Sequence, residues 1–159
     1  IELPQKKEMI LIDQAKHNLM PQAKITSSHI LDLANKSIQR RWPTNKAFVN
    51  NLLRRNLYQI YWSDSVYAVA NFTNDTSLLQ ISGGTAWACQ MFVDRWLYST
   101  NNIQDIPLYF FDQKSESWYK WNGSWICISQ PPKPNKVYAG IGSRELTPAG
   151  QAAIENVYG

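Results

Sequence analysis

The chain has 159 residues, enough for one domain with a substantial core and too few for two. Apolar residues make up 44% of it and charged residues 18%, which excludes a disordered chain, and a net charge of +4 is too small to single out nucleic acid as a partner. No run approaches the roughly 20 apolar residues of a membrane span, so we predict a cytoplasmic protein without a membrane segment.

Two helices are predicted before the first strand. Apolar residues recur at the helical period from about Ser28 to Arg41, and Pro43 ends this helix. A second helix starts near Asn45. It places Asn56 and Gln59 on one face, because they are three residues apart. This polar face is either solvated or one wall of a polar pocket.

A first glycine loop follows the apolar, β-branched run Ser65–Ala70, which predicts a strand. Gly83, Gly84 and Thr85 come after a polar connection, and a helix runs from Thr85 to about Tyr98. Glycines let backbone N–H groups approach a ligand, and a helix N-terminus favours an anion, so this arrangement suits a phosphate. The alternative is a tight turn that binds nothing.

Three features are predicted between this loop and the chain's last strand. In the helix after the loop, Trp87 and Gln90 lie off the core face and are expected to face the mouth of the loop. Ile106–Asp112 predicts a buried parallel strand. Trp118–Ile128 predicts a hairpin that turns at Asn122-Gly123, whose aromatic residues either pack across the strands or form a stacking platform for a base.

The chain ends in a second combination of a strand, a glycine loop and a helix. The strand covers Lys136–Ala139, and the helix begins near Pro148. Arg144 adds a guanidinium that can hold phosphate oxygens in a bidentate fork. The candidate phosphate-binding residues of this second loop are Gly140, Gly142, Ser143 and Arg144.

The segment Ala139–Leu146 resembles the signature of the Rossmann-like superfamily that contains the LOG, DprA and SLOG proteins. Arg55–Gln59, Gly83–Met91 and Phe111–Gln113 followed by Trp118-Tyr119 look like segments of its uncharacterised phage and bacterial members. The resemblance covers about residues 42–159 and implies an α/β fold, with a Rossmann-like, mostly parallel sheet flanked by helices and an added aromatic β-hairpin. Together with the chain length it predicts one such domain over residues 1–159.

The order of the segments resembles that of circularly permuted members, because the Gly-Ile-Gly-Ser-Arg segment closes the chain instead of opening it. Those members also carry a further glycine-rich strand, loop and helix near their start. No such segment is found here, so either it lies upstream of Ile1 or the protein lacks it. We expect that an N-terminal segment is missing.

The resemblance implies a nucleotide-type small molecule, of ADP-ribose or NAD-derived type, bound through the two glycine loops, with Asn56 and Gln59 reading sugar or base. Phosphoribohydrolases of the LOG type carry a glutamate soon after their glycine loop, and Trp87–Gln90 contains no acid here. An enzyme would have to use Glu145 with Arg144, or Asp112 as a second choice of acid.

Two alternatives to nucleotide binding therefore stay open: N-glycosidic cleavage of nucleoside monophosphates and DprA-like binding of single-stranded DNA. The DNA alternative would use the arginine pairs Arg40-Arg41 and Arg54-Arg55. We expect no cofactor, no metal and no membrane partner, and we disfavour nucleic acid as a partner. A homodimer is left open.

Overall fold

The computed structural model describes residues 26–73, 81–100, 102–134, 136–142 and 145–158. Within these ranges the helices are α1 (Ser27–Ile38), α2 (Ala47–Ile60), α3 (Gly84–Thr100) and α4 (Pro148–Tyr158), with a 3-10 turn at Ile103–Asp105. The strands are β1 (Ser65–Ala70), β2 (Leu108–Asp112), β3 (Ser117–Trp121), β4 (Trp125–Ile128) and β5 (Tyr138–Gly142).

The five strands form one mixed sheet in the order β4-β3-β2-β1-β5. β1 pairs in parallel with β2 on one side and with β5 on the other, whereas β3 and β4 are antiparallel to their neighbours. β1 and β2 are almost wholly buried, as the continuous apolar runs of central parallel strands require. The predicted α/β class, with a parallel centre flanked by helices, is confirmed.

The helices cover the two faces of this sheet unequally. The larger core lies under α1, α2 and α3 and takes the inward side chains Val66, Ala68 and Ala70 of β1. The alternate β1 residues Tyr67 and Val69 lie on the other face, under α4. The helices that follow β1 and β5 therefore lie on opposite faces of the sheet.

α3 is buried on nearly all sides in its first half, because α1 and α2 pack against the side that does not touch the sheet. Trp87 and Gln90 are both buried, so the expectation that they face the loop mouth is wrong for Gln90. Gln90 donates to Asp94 within the same helix at 2.8 Å. Trp87 still borders a pocket beside the glycine loop.

Two predicted element ends differ from the structure by three residues each. α1 ends at Ile38 and not at Arg41, because Gln39 adopts a left-handed conformation with φ 53° and its N–H donates to Asn35 O. β5 begins at Tyr138 and continues through Gly142, so the residues predicted to open the second glycine loop lie in a strand.

Candidate functional site

The first glycine loop connects the carboxyl end of β1 to α3. Phe72 and Ile81 form an antiparallel bridge, and the N–H of Ser82 donates to Asn71 O at 2.9 Å. Gly83 then turns the chain with φ +67°, a conformation that glycine adopts without strain. α3 starts at the next residue, Gly84. The strand, glycine turn and helix predicted from the sequence are thus present.

Two side chains from outside the loop hold its carbonyl groups. Arg40, just after α1, donates from Nη1 to Gly83 O at 2.7 Å and from Nη2 to Ile81 O. Asn56 of α2 donates from Nδ2 to Gly84 O at 3.2 Å. A Cβ on Gly84 would lie 3.2 Å from that same nitrogen, so the close approach of α2 favours glycine here.

The predicted residues Asn56, Gly83 and Gly84 therefore meet in space, and Thr85 follows them as a buried residue of α3. Gln59 lies one turn beyond Asn56 and is exposed. Its backbone carbonyl accepts from Ser63 at 2.9 Å. Asn56 thus contacts the loop directly through its side chain. Gln59 makes only backbone hydrogen bonds within the described residues, one of them with Ser63 just beyond α2.

A pocket of about 440 Å³ lies beside this loop. Its walls come from the α1–α2 linker, the first half of α2, the loop itself and Trp87. Arg40, Arg41 and Thr44 line the linker side, and Val49 and Leu53 form an apolar side. A charged side opposite an apolar side suits a ligand with an anionic group joined to an apolar or planar group.

A segment of the chain that carries only positive charges forms part of this pocket. Residues 33–63 contain six Lys and Arg and no Asp or Glu, whereas the whole chain has a net charge of +4. The other residues therefore sum to −2. The linker and α2, which form two walls of the pocket, lie inside this basic segment. The resulting field attracts anions to the pocket.

Packing explains one glycine of the second predicted loop. Gly140 lies in β5 opposite Tyr67, and a Cβ on it would be 2.9 Å from the hydroxyl of Tyr158 in α4. Gly142 ends the strand, and a Cβ there would meet no atom of the described residues within 4 Å. Ser143 and Arg144 lie outside the described residues.

Gln113 ties the segment after β5 to the carboxyl edge of the sheet. Its Nε2 donates to Glu145 O at 2.9 Å, and its Oε1 accepts from Thr147 N at 2.7 Å. Its own N–H donates to Ala70 O, the last residue of β1. The segment leading to α4 therefore passes over the ends of β1 and β2.

The two candidate acids differ in their surroundings. Asp112 is buried, and its two carboxylate oxygens accept from the N–H groups of Phe72 and Ser115 at 3.0 and 2.9 Å. It therefore serves to hold the backbone at the end of β2. Glu145 is exposed at the same edge of the sheet. Of the two, Glu145 is the carboxylate that a ligand could reach.

The sequence does not predict the contacts of two residues, Arg40 with the glycine loop and Gln113 with the segment before α4. Arg40 stands 43 positions before Gly83 and Gln113 stands 34 before Thr147, so no local pattern links the partners. A cue existed for Arg40: it belongs to a pair of arginines next to the helix-ending proline. No comparable cue existed for Gln113.

In the described ranges, no group of three or more His, Cys, Asp or Glu is arranged to hold a metal ion. None of the helices in the described part of the chain combines the length and apolar character needed to cross a membrane. Comparisons with known proteins found no matching family model, no matching curated protein and no matching solved structure.

Proposed function

We propose that the protein binds a nucleotide or a nucleotide-derived ligand, of the ADP-ribose or NAD-derived type, at the carboxyl edge between β1 and β5. One observation carries the proposal: these adjacent parallel strands lead into helices on opposite faces of the sheet. Open α/β sheets bind ligands in the crevice that forms where neighbouring connections diverge in this way.

The glycine loop after β1 supplies the first group of ligand contacts. Gly83, Gly84 and Thr85 offer backbone N–H groups at the start of the 17-residue α3, where the helix dipole favours a negative charge. Asn56 lies against the loop and is in reach to read a ribose hydroxyl, with Gln59 further along the same helix.

The segment after β5 supplies the second group. Gly142 ends the strand without a side chain over the crevice, and Ser143 and Arg144 would add a hydroxyl and a charge. Gly140 has a different part in this arrangement, since it gives room to Tyr158 and thereby seats α4 against the sheet.

A thermal-shift screen with ADP-ribose, NAD and AMP tests the proposal. A ligand at about 100 times its Kd stabilises the fold by about 2.7 kcal/mol, which raises Tm by about 5–10 °C for a chain of this size. We expect such a shift with ADP-ribose and its loss in Arg144→Ala. Lys36→Ala is the matched control, because it removes the same charge from an exposed site on α1. The absence of a shift with all three ligands would refute the proposal.

An assay of adenine release, run beside the thermal-shift screen, separates the hydrolase alternative from binding alone. Glu145 is exposed at the proposed site, whereas both carboxylate oxygens of Asp112 accept hydrogen bonds from backbone N–H groups. Release of adenine from AMP that disappears in Glu145→Gln would establish N-glycosidic cleavage with Glu145 as its acid. Stabilisation by ADP-ribose without base release would establish binding alone.

A second candidate is binding of single-stranded DNA, and the basic segment 33–63 is the observation that favours it. Phe48 in α2 is 59% exposed inside this segment and could stack on a base. Retention of a labelled oligonucleotide that weakens steeply with salt, and that ADP-ribose does not displace, would favour this function over the first.

A further inference from the structure

The α1–α2 linker brings two consecutive arginines to the glycine loop, and their contacts differ. The guanidinium of Arg40 donates hydrogen bonds to the loop carbonyls of Ile81 and Gly83. Arg41 is exposed at the same pocket, and no residue of the described ranges accepts a hydrogen bond from its guanidinium. One arginine thus binds the protein, and the next lines the pocket without such a contact in the described part of the chain.

We propose that this pocket receives the phosphate-bearing end of the ligand, with Arg41 as the contact to phosphate and Arg40 as a positioning residue. The inference rests on the proposed function and sharpens it, because it places the charged end on the linker side of the first glycine loop. The ligand class is a nucleotide with two or more phosphate groups.

Three observations support this assignment. Arg41 offers a planar fork of donors that matches phosphate oxygens. The pocket walls belong to the segment with six basic and no acidic residues, which favours several negative charges over one. Ser82, Gly83 and Gly84 line the same pocket, so a phosphate at Arg41 lies within reach of the loop.

The positioning role of Arg40 follows from peptide geometry. A trans peptide directs its N–H opposite to its C=O, so fixing the carbonyl of Gly83 also fixes the direction of the Gly84 N–H. That N–H is one of the first donors of α3, which have no partner inside the helix. Asn35 Oδ1 accepts from Arg40 N at 2.8 Å and anchors the arginine itself.

Calorimetric titration of ADP and AMP into the full chain tests the contact role of Arg41. We expect ADP to bind more tightly than AMP, and Arg41→Gln to weaken ADP binding about 10–100-fold, the range expected for a charged hydrogen-bonded contact. The control is Lys136→Gln, which also removes one positive charge, from an exposed position before β5 outside both the pocket and the segment 33–63, and should leave the Kd of ADP within about twofold.

The positioning role needs a readout other than stability. Amide resonances of Gly84 and Thr85 should shift when ADP is added to the parent, and Arg40→Lys should displace them already in the free protein, because one ammonium cannot replace a fork across two carbonyls. Arg40→Lys should also weaken ADP binding about tenfold. Unchanged Gly84 resonances and an unchanged Kd in this variant would refute the positioning role.

The outcomes separate this inference from the proposed function. If the parent binds ADP or ADP-ribose, and Arg144→Ala loses binding while Arg41→Gln keeps it, the inference is wrong and the proposed function stands. If the parent binds neither ligand, the proposed function fails and the inference fails with it. Loss of ADP binding in Arg41→Gln, with ADP binding unchanged in Lys136→Gln, supports both the inference and the proposed function.

Discussion

Gln113 and Gly150 approach each other so closely that no methyl group fits between them: a Cβ on Gly150 would lie 2.3 Å from Gln113 Oε1. Gln113 cannot move aside freely, because it is buried and the same oxygen accepts from both the N–H and the hydroxyl of Thr147. The first turn of α4 is thereby held against the end of β2.

We expect Gly150→Ala to destabilise the fold by about 1–3 kcal/mol, although alanine is intrinsically the better helix former by about 1 kcal/mol. Urea denaturation measures the change, and Asn156→Ala at an exposed position of the same helix should stay within about 0.5 kcal/mol of the parent. In a Gln113→Ala background the cost of Gly150→Ala should shrink. An equal cost in both backgrounds would contradict the proposed steric conflict.

The position of Gly140 under the Tyr158 hydroxyl gives a second prediction. Gly140→Ala should cost about 1 kcal/mol or more, because its Cβ would lie 2.9 Å from that oxygen. Tyr158→Phe removes the oxygen and should recover most of the loss, as thermal denaturation of the two single variants and the double variant would show. If the double variant is no more stable than Gly140→Ala alone, contact with Tyr158 does not explain the glycine.

Local patterns were sufficient for the elements whose determinants lie within a few residues. The bounds Ser65–Ala70 coincide with the predicted strand because an apolar, β-branched run ends there at polar residues. α4 begins at Pro148 as predicted, because proline favours the first turn of a helix. The α/β class followed from the same alternation of strand and helix patterns.

Distant contacts explain most of what the sequence did not reveal. Gly140 was interpreted as part of a loop, but its neighbour Tyr158 makes it a packing glycine within a strand. Gln90 was expected to face the loop, but α1 and α2 cover that side of α3. Arg40 contacts Gly83 across 43 positions of sequence. None of these relationships has a local periodicity.

The left-handed turn at Gly83 gives a third prediction. An alanine Cβ there would meet no atom of the described residues within 4 Å but would have to adopt φ +67°, so Gly83→Ala should cost about 1–2 kcal/mol. Gly83→Asn should cost less, since asparagine tolerates this conformation better. Thermal denaturation measures both. Gly142→Ala is the control, because that site has space and no positive φ. Equal stability of the Gly83→Ala and Gly83→Asn variants would argue against backbone strain as the cause.

Asp94 in α3 provides a pH-dependent prediction. Its Oδ1 accepts from Gln90, and its buried Oδ2 has no hydrogen-bond partner within the described residues. Burial raises the pKa of this carboxyl from 3.8 to about 6, although the bond from Gln90 lowers the pKa in part. Since the folded state binds the proton more tightly, the stabilising contribution is present below about pH 4 and is lost as the pH rises through about 6.

We therefore expect Asp94→Asn to be more stable than the parent by about 1–2 kcal/mol at pH 8, where the parent must keep a buried charge, and to lose this advantage at pH 4. The amide oxygen of the new side chain can still accept from Gln90. Urea denaturation of both proteins from pH 4 to 8 measures the difference. A difference that stays constant across this range would show that the carboxyl of Asp94 does not titrate differently in the folded and unfolded states.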